Sequence, residues 1–157
     1  MTRLKTSPNG TSKATDAQTQ QPSIFSLLPQ IMQDVGTIEK KQHGEAAYRF
    51  RSIDDAMNAI SPVLVTHGVS TSFRCFDHQL HFQRDRDRFG NQHTKCRATL
   101  SLELTFWGPD GSHISSTAAG EGVDHDGDKA TCKAMSTAMK YALFFGLMVP
   151  PGKKEQT

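Results

Sequence analysis

The spacing of apolar residues divides the chain into helical ends and an alternating middle. Ile24, Leu27, Leu28, Ile31, Met32 and Val35 recur at the three-and-four spacing of an amphipathic helix. Ser23, just before them, has a hydroxyl suited to accept a free amide of the first turn. Pro29 falls inside the pattern, and its missing amide and ring clash predict a kink or a break there. A second helix is predicted from the S-x-x-D box formed by Ser52 and Asp55, with Ile53, Met57, Ile60 and Leu64 on one face and Gly68 ending it. Pro62 interrupts this helix as well. Between the two, residues 40–44 read as a polar loop and residues 47–50 as a short strand.

From residue 69 to 119 the period falls to two. Val69, Thr71, Phe73 and Cys75 alternate with Ser70, Ser72 and Arg74, and Cys96, Ala98, Leu100, Leu102, Leu104 and Phe106 alternate with Arg97, Thr99, Ser101, Glu103 and Thr105. These are the marks of half-buried strands. Residues 80–86 are a further strand candidate, with Phe89, Gly90 and Asn91 as the tip of a hairpin. Gly108-Pro109-Asp110-Gly111 is a strong turn that sets residues 112–118 antiparallel to the long strand. The expectation is an α+β fold: an antiparallel sheet of three to four strands, covered on one face by helices, with a basic groove between sheet and helices.

A third helix follows a turn rich in glycine and aspartate, in which Gly120, Gly122 and Gly127 read as a loop. At 100° per residue, Lys129, Lys133, Ser136 and Lys140 fall within an arc of about 60°. Ala134, Ala138, Ala142, Met135, Met139 and Phe145 occupy the other side as a core face. A cationic stripe is often only a solvated face, but Tyr141 directly follows Lys140. Lysines for phosphates beside an aromatic for bases are the chemistry of a single-strand groove.

Two further basic groups are candidates. Arg49 and Arg51 flank Phe50 close to Tyr48, an arrangement that serves either phosphate binding with base stacking or surface packing of arginine stems on rings. Lys95 and Arg97 join Arg84, Arg86 and Arg88 at the hairpin, where arginines and the aspartates Asp85 and Asp87 take opposite faces of an extended run. Those charges suit an edge strand guarded against aggregation, a groove lining, or a contact with a neighbouring subunit's acids.

The acidic residues of the turn, Glu121, Asp124, Asp126 and Asp128, do not have EF-hand spacing, since Lys129 stands where the glycine belongs and Met135 where the bidentate glutamate belongs. Capping is the better reading for Asp126 and Asp128. A Mg²⁺-dependent nuclease built on these carboxylates is the enzymatic alternative, and a purely structural assembly protein is another.

Bulk composition bounds the rest. With 157 residues, 36% of them hydrophobic, the chain supports one core. A net charge of +2 is too mild to announce a nucleic-acid partner, so that signal rests on clustering. Cys75, Cys96 and Cys132 are odd in number and lack CxxC spacing, which favours a reducing cytoplasm over a disulfide framework or a zinc site. No apolar run has the length of a membrane span or a secretory signal, so the expectation is a soluble, non-exported protein. There is no G-x-x-x-x-G-K-[ST] loop for ATP, and no metal or other cofactor is expected. Residues 1–22 are polar and lack large apolar side chains, which predicts a disordered tail, and residues 151–157 read as a short flexible one.

The run from Glu121 to Tyr141, with Gly127-Asp128-Lys129-Ala130 at its centre, then Lys133-Ala134-Met135 and Lys140-Tyr141, resembles the signature of the ERF (essential recombination function) family of phage single-strand annealing proteins. Tyr48-Arg49-Phe50, Ser52-Ile53-Asp54-Asp55, then Ile60, Pro62, Leu64 and His67-Gly68 resemble the same family's first block in the same order. Residues 23–150 would form the family's domain; residues 76–97 carry no motif of it.

The resemblance implies ATP-independent binding of single-stranded DNA and annealing of complementary strands in homologous recombination and repair, with no covalent bond broken. Phosphates would lie on Lys129, Lys133 and Lys140, helped by Arg49, Arg51, Lys95 and Arg97, with Tyr48 or Tyr141 stacking on bases. It further implies homo-oligomeric rings or arcs, an annealing duplex as intermediate, a bacterial host cytoplasm, and a host single-strand binding protein or a phage exonuclease as candidate partners.

Overall fold

A computed structural model describes residues 20–44, 48–86, 89–125, 127–150 and 152. The tail expectations for residues 1–19, 151 and 153–157 lie outside them, as do Asp87, Arg88 and Asp126. The elements run α1 (Ile24–Val35), α2 (Ile53–Thr66), β1 (Ser70–Arg86), β2 (Gln92–Trp107), β3 (His113–Asp124) and α3 (Ala130–Gly146). The strands form one antiparallel meander in the order β1-β2-β3 with helices packed on it, the α+β class that the periods predict.

The helices begin where their chemistry predicts. The Ser23 hydroxyl accepts the Ser26 amide, and Ser52 and Asp55 make a reciprocal capping box, with the Ser52 amide 2.9 Å from the Asp55 carboxylate. Pro29 and Pro62 both sit inside unbroken helices, so neither splits its element. Gly68, at φ 66°, closes α2 while the Val69 amide bonds back to the Leu64 carbonyl. Of the predicted strand at residues 47–50, the described part is a single bridge between Lys41 and Phe50.

The sheet departs from expectation in two places. β1 is one strand of 17 residues rather than two, since a bulge at Asp77 and His78, with Asp77 at φ 52°, lets pairing with β2 resume at Gln79. β3 runs past Ala118 to Asp124, because Gly120 and Gly122 continue the ladder opposite Leu100 and Ala98. These two glycines are therefore strand residues, not loop residues.

The reason is α3. Its alanines Ala130, Ala134, Ala138 and Ala142 are fully buried. A Cβ on Gly120 would fall on the Ala134 carbonyl oxygen, and one on Gly122 on that of Ala130. Helix backbone thus lies directly on strand backbone, a spacing that side chains on either element would forbid.

Even-numbered β2 residues from Cys96 to Phe106 are buried beneath the helices with Ile24, Ile31, Ile60 and Leu147. The odd-numbered face is polar: Thr105 bonds to Ser115 at 2.8 Å, and the Trp107 indole donates to Ser72 at 2.8 Å. Residues opposite one another in a ladder share a face, so Phe73, Cys75, Leu80 and Phe82 of β1 lie on the helix side with Leu104, Leu102, Ala98 and Cys96. No described helix reaches far enough to cover them. Phe73 and Phe82 remain 54% and 66% exposed, which overturns the expectation of a half-buried first strand. Met57 and Phe145, also expected in the core, are exposed.

The close contact yields a test. Gly122→Ala is expected to lower the free energy of unfolding by at least ~2 kcal/mol, because a buried methyl forced against backbone cannot be accommodated by a side-chain shift. Urea denaturation checks this, and a loss below ~0.5 kcal/mol would show that α3 does not depend on the contact.

Candidate nucleic-acid interface

Burying its alanines fixes the rotation of α3, and with it the direction of the lysines. Lys129, Lys133, Ser136 and Lys140 share the side of α3 away from its buried alanines, with Lys140 half-buried and Lys133 lying along β3 at Gly122. Lys129 is exposed at the N-cap position, where its own side chain makes no capping bond. Lys140 lies 5.0 Å from the Tyr141 ring centroid, and that ring stacks on Phe145 at 5.4 Å. One turn beyond Lys140, the Arg51 guanidinium sits 4.2 Å over the Phe144 ring and donates to the Pro150 carbonyl. The start of α2 thereby adds a cation to the C-terminal end of the lysine face, and packing of Arg51 on a ring accompanies that placement.

Arg49 and Tyr48 are exposed just before this point, and the Tyr48 ring leans on Phe50 at 5.6 Å. Lys95 and Arg97 lie elsewhere. As odd-numbered residues of β2 they project from the opposite face of the sheet, where they share a cleft of about 520 Å³ with His81, Gln83 and Thr99. The predicted residues therefore form two clusters: the α3 face with Arg51, and the hairpin cleft. His81 and Gln83 are additions that their own segment did not announce, because only pairing with Arg97 and Lys95 brings them there.

Charge pairing shapes both clusters. Arg97 meets Glu121 at 3.3 Å on the outer face. On the helix side, the Lys133 ammonium donates to the Val123 carbonyl at 2.9 Å and to the Asp124 carboxylate at 2.5 Å. Asp124 also accepts the Lys129 amide at 3.4 Å, so among the described residues it, rather than Asp128, reaches the opening amides of α3. The Lys133 hydrogen bond outweighs the partial loss of hydration and, with bonds to Asp128 and to the Lys129 amide, holds the Asp124 carboxyl at about 2, below its ordinary 3.8. Glu121 and Asp124 point to opposite faces of β3 and do not converge as the ligands of one ion would. Among the described residues no group of three His, Cys, Asp or Glu side chains could hold a metal. All three cysteines are free, Cys96 buried and Cys75 and Cys132 exposed.

An antiparallel meander with an alanine-faced helix bedded on its glycines, and a row of lysines along that helix, defines a domain of α+β type. Residues 24–152 match the model of the ERF superfamily, and the chain belongs to that family, one linked to phage recombination and single-strand annealing. The match confirms the resemblance read from the two sequence blocks. A search of curated proteins finds no match. No helix of the described residues is long and apolar enough to cross a membrane.

The Asp124 pairing has a pH consequence. A carboxyl whose folded pKa lies below its unfolded value contributes stability that is complete above pH ~4 and is lost as pH falls toward ~2. Wild type is expected to lose urea resistance across that window more steeply than Asp124→Asn, and parallel losses in the two proteins would show that this carboxyl does not contribute.

Proposed function

We propose that the protein binds single-stranded DNA and promotes annealing of complementary strands without ATP and without breaking a covalent bond. One observation carries the reading: Lys129, Lys133 and Lys140 form a row along the side of α3 away from its buried alanines, which fix the rotation of the helix. Ammonium groups in such a row hold phosphates and ignore base identity. With the backbone held, base edges stay open to a second strand, and pairing energy intrinsic to DNA selects the complement. Arg51 and Arg49 extend the row past Lys140, and Tyr141 or Tyr48 supplies a stacking ring. Lys95 and Arg97, on the other face, contact DNA as a separate cluster. Family membership supports strand annealing as the activity of this surface. In this reading the protein works in recombination and repair within a bacterial host's cytoplasm.

The working form in this reading is a homo-oligomer, a ring or an arc, in which the lysine rows of successive subunits join. Unburied apolar surface supports it. Met57, Val65, Phe73, Met139 and Leu143 line an apolar groove of about 490 Å³ between α2, α3 and β1. Val65 is 75% exposed there, more surface than a lone chain hides well. Phe73→Asp is expected to shift the assembly toward monomer in light scattering; an unchanged mass would place the subunit contact elsewhere.

The experiment that tests the function follows two complementary labelled oligonucleotides as they anneal, with EDTA and without ATP. Acceleration by wild type that Lys133→Ala/Lys140→Ala loses, with fold and oligomer intact, is the expected result. Binding should also show a log–log salt slope that shrinks by about 0.7 for each phosphate contact removed. No acceleration at any salt concentration overturns the proposal, and oligomers that never bind DNA would point to a purely structural protein.

A further inference from the structure

β3 carries two charged side chains, Glu121 and Asp124, and each is engaged with one of the cations proposed to meet DNA. Asp124 is the more constrained of the two. It is the last residue of β3, paired with Cys96, and its carboxylate is held from a second side by the Lys129 amide. The Lys133 ammonium has three donors, of which the Val123 carbonyl and Asp124 take two, while the lysine side chain stays 49% exposed. A carboxylate thus stands, at a position set by the backbone, against the lysine at the centre of the row.

We infer that Asp124 is a built-in competitor for the strand site: its carboxylate occupies the place on Lys133 that a strand phosphate takes, so DNA binds there by exchange of one anion for another. The inference rests on the function proposed above and concerns the regulation of the same surface. To an approaching strand, Lys133 and Asp124 together are neutral, and a phosphate gains from the lysine only as the carboxylate lets go. The Lys129 amide and the chain's own geometry keep the released carboxylate close by, ready to return. A strand is therefore held loosely at the middle of the row and more firmly at Lys129 and Lys140. Loose central contacts let the backbone shift until a complementary strand finds its register, which a uniformly tight row would resist.

The test measures binding of a fluorescent oligo-dT by anisotropy over a range of salt, for wild type, Asp124→Asn, Lys133→Ala and the double variant. Asp124→Asn is expected to bind severalfold tighter at low salt, with a log–log slope steeper by about 0.7, the increment of one phosphate contact. In the Lys133→Ala background the same change should leave the slope where it was. Unchanged or weaker binding by Asp124→Asn at an unchanged slope overturns the inference. So does an equal gain without Lys133, since that would reflect only the removal of a negative charge. Asp124→Ser keeps an acceptor for the Lys129 amide and is read in the same way should the asparagine variant fail to fold. Wild type that binds no oligo-dT overturns the proposed function and this inference together; wild type that binds while neither Asp124 variant gains overturns this inference alone.

Discussion

The close seat of α3 on β3 is the constraint from which the other features follow. Two glycines without side chains meet alanines one and two turns into the helix, so the backbones approach more nearly than ordinary packing allows. A helix held this way cannot roll about its axis without driving a methyl into the strand or exposing its alanines. Its far side is therefore as fixed in direction as its buried side, and three lysines on that far side become a row with a definite orientation. Rigid presentation matters for a binding surface, because ordering that is already complete in the free protein is not charged against binding.

The same arrangement leaves surface uncovered. A helix bedded over β2 and β3 is too narrow to shelter β1, so Phe73, Leu80 and Phe82 stay exposed, with Phe73 lining the groove between α2, α3 and β1. Apolar side chains alternate along β1 as they would in a buried strand, yet its cover is missing from the described residues. Sequence pattern and structure are reconciled if the cover belongs to another subunit.

Much of the architecture was legible in the chain because its signals are local. Capping at Ser23 and Ser52, the turn at 108–111, the change of period at residue 69 and the opposition of lysines to alanines on α3 all follow from neighbours a few residues apart. What was not legible depends on partners distant in sequence. Gly120 and Gly122 look like loop residues until a helix is laid on them, and Phe73 looks buried until the width of that helix is known. For the candidate site, the membership of the lysine row was readable and the division of the other cations was not. Lys95 and Arg97 sit on the far face because strand parity puts them there, and Asp124 engages Lys133 because β3 runs six residues further than its turn signals suggested.

The number of strands carries a last consequence. In a meander of three, the two outer strands run in the same direction, so β1 and β3 are parallel to one another across β2. Copies joined left edge to right edge would all point the same way, and their helices with them. Such an array has a front and a back, and a strand laid along it would meet every subunit in the same sense, reading the row always from Lys129 toward Lys140 or always the reverse. Copies joined by like edges, β1 to β1 or β3 to β3, would instead alternate and cancel that direction. With three strands, the contact in the unlike-edge array is a parallel pairing of β1 with β3, and the direction of the array is a matter of which edges meet.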